Sequence, residues 1–283
     1  MKLLRFGPKG REKPGLLDKD GVIRDLSGVI SDIDRKTLAS GEVARLKKVK
    51  PESLPKVTRK VRIGSPIAEV RNFIAIGLNY ADHAKETNSP IPGEPIIFNK
   101  APGCLQGPDD DVVIPKDSKK TDWEVELAVI IGKGGSYIAK DKALSHVAGF
   151  AVCNDVSERS FQQERGGQWT KGKGCPTFGP LGPWLVTPDE VKDVQNLDMF
   201  LDVGGKRMQT GNTKTMIFDV ATVVSYASLF FALEPGDVIT TGTPPGVGTG
   251  MKPQRFLKAG DTIRLGIAGL GEQNQKVLAY KAK

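Results

Sequence analysis

The sequence predicts a mixed α/β fold that is rich in strands. Glycine and proline supply 33 and 19 of the 283 residues, above the ~12% that these two types average together. Short alternating or β-branched runs such as DWEVELAVIIG recur between turn-forming residues, as expected for strands. The strongest helical segment is FDVATVVSYASLFFALEPGD. Many short strands joined by turns, with few helices, therefore account best for the chain.

The first 60 residues form a basic segment. They carry 16 Lys or Arg and 8 Asp or Glu, so this segment accounts for the whole net charge of +8. It runs into a lysine-rich stretch punctuated by proline, KKVKPESLPKVTRKVRIGSP, of the kind that separates folding units. We expect a small N-terminal α/β module over residues 1–65 and a larger domain over residues 66–283.

The composition argues against nucleic-acid and membrane partners. The basic residues are interspersed with acidic ones, and only 6% of the chain is aromatic, which leaves few rings to stack on bases. No apolar run reaches the ~20 residues of a membrane span, and the start MKLLRFGPKG lacks the apolar core of a signal peptide. The three cysteines are widely spaced, as in proteins with reduced thiols. We expect a cytoplasmic location.

The segment RNFIAIGLNYADHAKET predicts a strand, a turn and a short helix with Asn79 at its N-cap. His83 and Glu86 are three residues apart and so share one helix face. A carboxylate beside an imidazole fixes its tautomer and raises its basicity, which makes the pair a candidate for activating water. The alternative is an ordinary surface pair. The next segment, EPIIFNKAPGCLQGP, predicts a strand interrupted by proline and glycine.

Three carboxylates point to a metal site. Glu124 and Glu126 lie in the strand-like run DWEVELAVIIG, where residues two apart project from the same face. Asp155 ends a second apolar run, GFAVCND, where a strand gives way to a loop. Carboxylates without Cys or His suit Mg²⁺, Mn²⁺ or Ca²⁺ rather than Zn²⁺. The alternative is that Glu124 and Glu126 form the solvated face of an exposed strand.

Residues 156–183 are rich in glycine, proline and charge and predict a long loop with a helical start. Arg159 and Gln162 follow Asp155 by one and two helical turns, and arginine suits bidentate recognition of a carboxylate. Lys173 lies in the glycine-flanked run KGKG, flexible enough to reach a reacting oxygen. A lysine in such a loop is also commonly solvated.

The remaining elements complete the strand-rich pattern. KDKALSHVAGF predicts a short helix from Asp141. Asp219 is a suitable N-cap for the strongest helix, and Pro235 and Gly236 end it. DVITTGTPPGVGTG then predicts a strand that runs into a loop, and DTIRLGIAGLG predicts a last strand. The loop lacks the arrangement of a nucleotide-binding P-loop.

These segments together resemble the fumarylacetoacetate hydrolase family over about residues 70–270. The segments that carry the resemblance are, in order, IGLNYADHAKE, EPIIFNK, DWEVELAVIIG, GFAVCNDVSERSFQ, WTKGKGCPTFGP and FDVATVVSYASLFFALEPGDVITTGTPPGVG. The resemblance implies a β-rich catalytic domain of rolled mixed sheets. It also implies a homodimer that acts on a small-molecule keto acid.

The resemblance implies a role for each candidate residue. Mg²⁺, or Mn²⁺ or Ca²⁺ in its place, would be held by the metal ligands Glu124, Glu126 and Asp155. The catalytic residues would be His83, Glu86 and Lys173, and the substrate-binding residues would be Arg159, Gln162 and Thr243. Larger members have a fourth acidic ligand in the stretch that matches FIAIGLN. That stretch has no acidic residue here, which disfavours fumarylacetoacetate itself as substrate.

The activity implied is hydrolysis of a carbon–carbon bond in a 2,4-diketo acid. The stretch QQERGGQWTKGKGCPTFGPLGPWLVT resembles members that act on 2,4-diketo-3-deoxy sugar acids derived from L-rhamnonate or L-fuconate. The products would be pyruvate and a small carboxylic acid. An acylpyruvate hydrolase or an oxaloacetate decarboxylase would use the same metal site. A non-catalytic, metal-stabilised binding protein is an alternative of another class, which the intact His83, Glu86 and Lys173 disfavour.

Overall fold

Strands dominate the structure, as the composition predicts. The computed structural model describes residues 1–39, 41–86 and 89–282. The strands in these ranges are β1 (Lys2–Phe6), β2 (Lys13–Leu17), β3 (Ile23–Asp25), β4 (Phe73–Gly77), β5 (Ile96–Lys100), β6 (Leu105–Gln106), β7 (Val112–Val113), β8 (Thr121–Asp122), β9 (Val125–Ile131), β10 (Val147–Asn154), β11 (Ser157–Glu158), β12 (Gly179–Val186), β13 (Asp198–Val203), β14 (Lys206–Asn212), β15 (Val238–Thr240), β16 (Thr262–Ile267) and β17 (Gly271–Leu278).

Helices are few and short. The α-helices are α1 (Arg35–Ala39), α2 (Glu42–Leu46), α3 (Ala81–Glu86), α4 (Arg159–Gln163), α5 (Thr170–Lys173) and α6 (Val220–Phe230). Segments of 3₁₀ helix lie at Pro51–Ser53, Pro102–Cys104, Lys140–His146, Pro188–Glu190, Thr213–Thr215 and Gly248–Gly250. No helix in the described ranges is long and apolar enough to cross a membrane.

Two mixed sheets organise the chain. The larger has the strand order β3-β2-β1-β12-β10-β9-β15-β4-β5, with β6 beside β12, and the smaller has the order β14-β13-β16-β17-β7. Most neighbours are antiparallel, while β4 with β15, β6 with β12 and β7 with β17 are parallel pairs. A two-stranded ribbon of β8 and β11 lies beside them. The predicted mixed α/β, strand-rich class is confirmed.

The central strand β9 separates two hydrophobic cores because its side chains alternate between the sheet's faces. Val125, Leu127 and Val129 face the core that holds α6 and the smaller sheet. Ala128 and Ile130 face the core that holds the N-terminal strands. Glu124 and Glu126 lie at steps of two residues before Ala128, so their side chains project toward the same face as that of Ala128. The strand's period of two therefore directs both carboxylates to one side.

The N-terminal segment contributes strands to the larger sheet. β1 pairs antiparallel with β12, with Lys2 opposite Val186, and β2 and β3 follow outward. Leu3, Leu16 and Leu26 are buried in the second core. The division of the chain into units at residues 65 and 66 stays a prediction.

Two local predictions need correction. Helix α6 is capped by Asp219, which accepts a hydrogen bond from the Thr222 backbone as predicted, but it ends at Phe230. It ends there because Leu233 pairs with Gly135 through two backbone hydrogen bonds of 2.9 and 3.0 Å. Asn79 does not cap α3, since its side chain instead bonds the backbone of Phe218 and Thr241.

Candidate active site

A cavity of about 200 Å³ brings most of the candidate residues together. Strands β4, β5 and β9, helices α3, α4 and α5, and the loop after β15 surround it. Among the residues that line it are His83, Glu124, Glu126, Arg159, Gln162, Lys173 and Thr243. Glu86 and Asp155 reach the same place through contacts with His83 and Lys173. The structure therefore gathers all nine predicted site residues around one cavity.

The three carboxylates Glu124, Glu126 and Asp155 converge as the strand period predicts. One oxygen from each lies within 4.8 Å of the others, and all three side chains are buried. Pairing of β9 with β10 sets Glu126 opposite Cys153. The Asp155 backbone then donates to the Glu124 carbonyl at 2.9 Å. The ends of two neighbouring strands thus fix the triad.

Three cations neutralise two members of this triad. Lys173 Nζ lies 2.6 Å from Glu124 Oε2 and 2.7 Å from Asp155 Oδ2. Lys100 Nζ lies 2.5 Å from Asp155 Oδ1, and Arg159 Nη2 lies 2.6 Å from Glu124 Oε1. Burial alone would raise the pKa of Glu124, but Lys173 and Arg159 hold that pKa well below its usual range. Glu124 is therefore ionised.

Glu126 differs from its two neighbours. Among the described residues it has no salt-bridge partner, and Gly242 donates a backbone hydrogen bond to its Oε2 at 2.9 Å. Burial and the adjacent carboxylates of Asp155 and Glu124 raise the pKa of Glu126 well above its usual range. A buried carboxylate in this state gains from a neighbouring cation. The all-oxygen triad therefore fits a hard divalent cation.

The environment of Lys173 differs from the prediction. The sequence predicts a flexible loop, but residues 170–173 form helix α5 and Lys173 is only 2% exposed. Glycine still matters here, because a Cβ at Gly172 would lie 2.4 Å from the Glu158 carbonyl oxygen. This close approach of α5 to β11 brings the ammonium group onto the carboxylates.

His83 and Glu86 form a contact on α3. His83 Nδ1 lies 3.0 Å from Glu86 Oε2, and His83 is 7% exposed in the cavity wall. Glu86 Oε1 also accepts the backbone N–H of Gly246 at 2.9 Å. Gly250 lets this carboxylate approach, since a Cβ there would lie 2.9 Å from Glu86 Cδ. The loop after β15 thus orients Glu86 and, through it, His83. The two residues are therefore not an ordinary surface pair.

Arg159 joins the carboxylates to Gln162 in the cavity wall. Its Nε donates to Asp122 Oδ2 at 2.9 Å, and its Nη1 donates to Gln162 Oε1 at 3.1 Å. The helix that carries Arg159 begins at that residue rather than near Asp155, because β11 pairs with β8 first. Thr243 lines the cavity, and its hydroxyl donates to the Val125 carbonyl at 2.9 Å.

Sequence reasoning missed Asp122 and Lys100. Asp122 is fully buried and accepts backbone hydrogen bonds from Gly248 and Thr249 at 2.7 and 2.9 Å. Lys100 is 1% exposed. A signal for Lys100 was present, because it follows Phe98 with the strand period in IIFNK and so falls on the buried face. Asp122 begins the run DWEVE, in which nothing local distinguishes it from an exposed carboxylate at the start of a strand.

The family model for the fumarylacetoacetate (FAA) hydrolase C-terminal domain matches residues 72–278. This chain belongs to the fumarylacetoacetate hydrolase family. A relative from Burkholderia ambifaria, named "Putative hydrolase", is 57% identical over 276 residues, which is 97% of this chain and 98% of that protein. The family predicted from the sequence is confirmed.

Solved structures of the family share the whole fold. A fumarylacetoacetate hydrolase from Exiguobacterium antarcticum is 37% identical with a TM-score of 0.89, over 99% of this chain and 100% of that one. A maleylpyruvate hydrolase from Sphingobium sp. SYK-6, in complex with manganese(II) and pyruvate, is 28% identical with a TM-score of 0.82, over 99% and 100%. The protein is therefore an enzyme of a fold shared by hydrolases and isomerases.

Glu126→Gln tests the metal site. The change keeps the side chain's size but removes its charge. Loss of a group that only supports a metal ligand costs ~10-fold or more in metal affinity, so loss of a ligand's charge should lower the affinity for Mn²⁺ by at least ~10-fold. Calorimetric titration of EDTA-treated protein measures this affinity. Glu52→Gln, at an exposed position, is the matched control and should keep wild-type affinity. Equal affinities for all three proteins would place the metal elsewhere.

Proposed function

We propose that the protein is a divalent-metal-dependent hydrolase that cleaves the C3–C4 bond of 2,4-diketo acids. Water is consumed, and the products are pyruvate and a carboxylic acid. The observation that carries the proposal is the single cavity in which the carboxylate triad and the His83–Glu86 pair meet. The manganese and pyruvate held by the related maleylpyruvate hydrolase support the same reading.

The triad would hold the cation, and Arg159 and Gln162 would hold the substrate. Glu124, Glu126 and Asp155 are the proposed ligands of Mg²⁺, with Mn²⁺ or Ca²⁺ as alternatives. When bound, the cation supplies Lewis-acid polarisation of the substrate's 2-oxo group. Arg159 donates to Asp122 and Glu124. Its guanidinium keeps further N–H donors, and these suit the substrate's negatively charged end. Thr243 is proposed as a further contact with the substrate.

His83 would act as the general base. Held by Glu86, its ring takes a proton from water, and the water oxygen attacks C4. Lys173 would stabilise the oxyanion that forms on C4. The C3–C4 bond then breaks, its electron pair passes to the 2-oxo group as an enolate, and the His83 imidazolium returns the proton to C3. The balance is one substrate and one water to one pyruvate and one acid.

We assign 2,4-diketo-3-deoxy sugar acids, such as those derived from L-rhamnonate or L-fuconate, as the substrate group. Residues 162–187, whose resemblance suggests these substrates, run from the end of α4 through α5 to β12. Gln163 and Trp169 of this segment line the cavity. Acylpyruvates and oxaloacetate are the competing substrates on the same site. A homodimer and a cytoplasmic location complete the proposal.

Pyruvate release tests the reaction. Mg²⁺-loaded protein should release equal amounts of pyruvate and lactate from a 2,4-diketo-3-deoxy acid with a lactoyl acyl half. EDTA and Glu126→Gln should abolish the release, while Glu52→Gln should not. A lactate dehydrogenase assay on one quenched sample measures pyruvate, and chromatography of a second sample without that enzyme measures lactate. Pyruvate formed only from oxaloacetate, together with CO₂, would contradict hydrolysis and indicate decarboxylation.

His83→Ala tests the general base. Loss of a positioned base typically costs at least ~100-fold in rate, so kcat should fall by that factor while KM changes little. Steady-state kinetics on the preferred diketo acid measures the two constants separately. Lys85→Ala, at an exposed position on the same helix, is the control and should keep wild-type kcat. A near-normal kcat for His83→Ala would remove this residue from the mechanism.

A further inference from the structure

The cavity has an apolar wall beside Lys173. The ring of Phe98 lies 5.2 Å from Lys173 Nζ, measured to the ring centroid. Trp169 packs edge-on against Phe98, with ring centroids 5.2 Å apart and an interplanar angle of 60°. Ile76 and Leu78, at the end of β4, line the same cavity. An aromatic surface thus adjoins the charged site.

The indole of Trp169 is seated in space that Gly77 leaves open. A Cβ on Gly77 would lie 2.4 Å from Trp169 Cζ3 and 3.0 Å from Cη2, which is too close for any side chain. The Trp169 carbonyl accepts the backbone N–H groups of Gly172 and Lys173 at 2.9 and 3.1 Å. These bonds place the Trp169 backbone one helical turn before Lys173, and Gly77 and Phe98 position its indole.

The cations of the cavity wall are already paired with carboxylates. Among the described residues that line it, the only Lys and Arg are Lys173 and Arg159. Both are engaged with Glu124, and each bonds a second carboxylate. A second carboxylate on the substrate's acyl half, placed against the rings of Phe98 and Trp169, would therefore meet no Lys or Arg among these lining residues that is left without a carboxylate partner. Burying such a charge unpaired is strongly unfavourable.

We propose that Phe98 and Trp169 bind the end of the acyl half and select substrates with one carboxylate and an apolar terminal group. This inference rests on the proposed function and narrows its substrate class. Acyl chains that end in a methyl group fit the wall, as a lactoyl half does. Chains that end in a hydroxymethyl group lose hydrogen bonds to water on entering it, and chains that end in a carboxylate lose more.

A matched series of substrates tests the selection. For Mn²⁺-loaded wild type, kcat/KM should rise about 4-fold for each methylene from acetylpyruvate to butanoylpyruvate, the yield of one buried CH₂. A methyl-ended diketo-deoxy acid should exceed its hydroxymethyl-ended analogue by ~10- to 100-fold. Succinylpyruvate, which ends in a carboxylate, should be at least ~10-fold poorer than butanoylpyruvate.

Two variants assign the selection to the wall. Trp169→Ala removes the ring, and Gly77→Ala displaces it, so each should lower the methyl-over-hydroxymethyl ratio toward about 1. Trp184→Phe, on β12 outside the cavity, should keep the wild-type ratio. Circular dichroism checks that each variant folds. Equal kcat/KM for the methyl- and hydroxymethyl-ended acids in wild type, or a wild-type ratio in both wall variants, would overturn the inference.

Binding measurements distinguish a failure of this inference from a failure of the proposed function. Calorimetric Kd values of the same acids, measured on Mn²⁺-loaded His83→Ala protein, should show the same preference for the methyl-ended member without turnover. If wild type cleaves none of the acids but the preference in Kd remains, the proposed reaction fails and the apolar subsite stands. Turnover without a preference in kcat/KM or Kd overturns the subsite alone.

Discussion

An imbalance of buried charge governs the centre of this protein. Charged groups in a protein interior cost several kcal/mol each unless opposite charges or hydrogen bonds compensate them. Four carboxylates and three cations cluster here, namely Asp122, Glu124, Glu126, Asp155, Lys100, Arg159 and Lys173. Glu126 is the carboxylate of this cluster without a salt bridge among the described residues, and its pKa is raised. A divalent cation would leave the cluster with a single positive charge, and a substrate with one carboxylate would neutralise it.

The fold meets this constraint by bringing distant segments together. Lys100 comes from β5, Asp155 from the end of β10 and Lys173 from α5, so the site forms only once the larger sheet is assembled. One loop serves both halves of the proposed chemistry. Gly246 donates to Glu86 beside His83, and Gly248 and Thr249 of the same loop donate to Asp122, which binds Arg159. The pair on α3 and the arginine are thereby held to the same backbone.

Local periodicity made part of this site predictable. Glu124 and Glu126 share a face because side chains alternate along a strand, and the ends of neighbouring strands meet, which brings in Asp155. The pairing of Lys100 with Asp155 was not predictable, because it depends on contacts between residues 55 apart in sequence. The predicted end of α6 was wrong for the same reason. Leu233 forms its backbone hydrogen bonds with Gly135, which lies about 100 residues earlier. The glycine-flanked Lys173 suggested flexibility, whereas close packing against β11 orders it.

The position of Mn²⁺ in crystals of the full chain, grown with Mn²⁺ and pyruvate, tests the proposed metal site. Anomalous scattering at the manganese edge identifies the ion and locates it. We expect one Mn²⁺ with oxygen ligands from Glu124, Glu126 and Asp155, and pyruvate in the same cavity. Manganese at another place, with Lys173 still bridging Glu124 and Asp155 and no ion on Glu126, would contradict it.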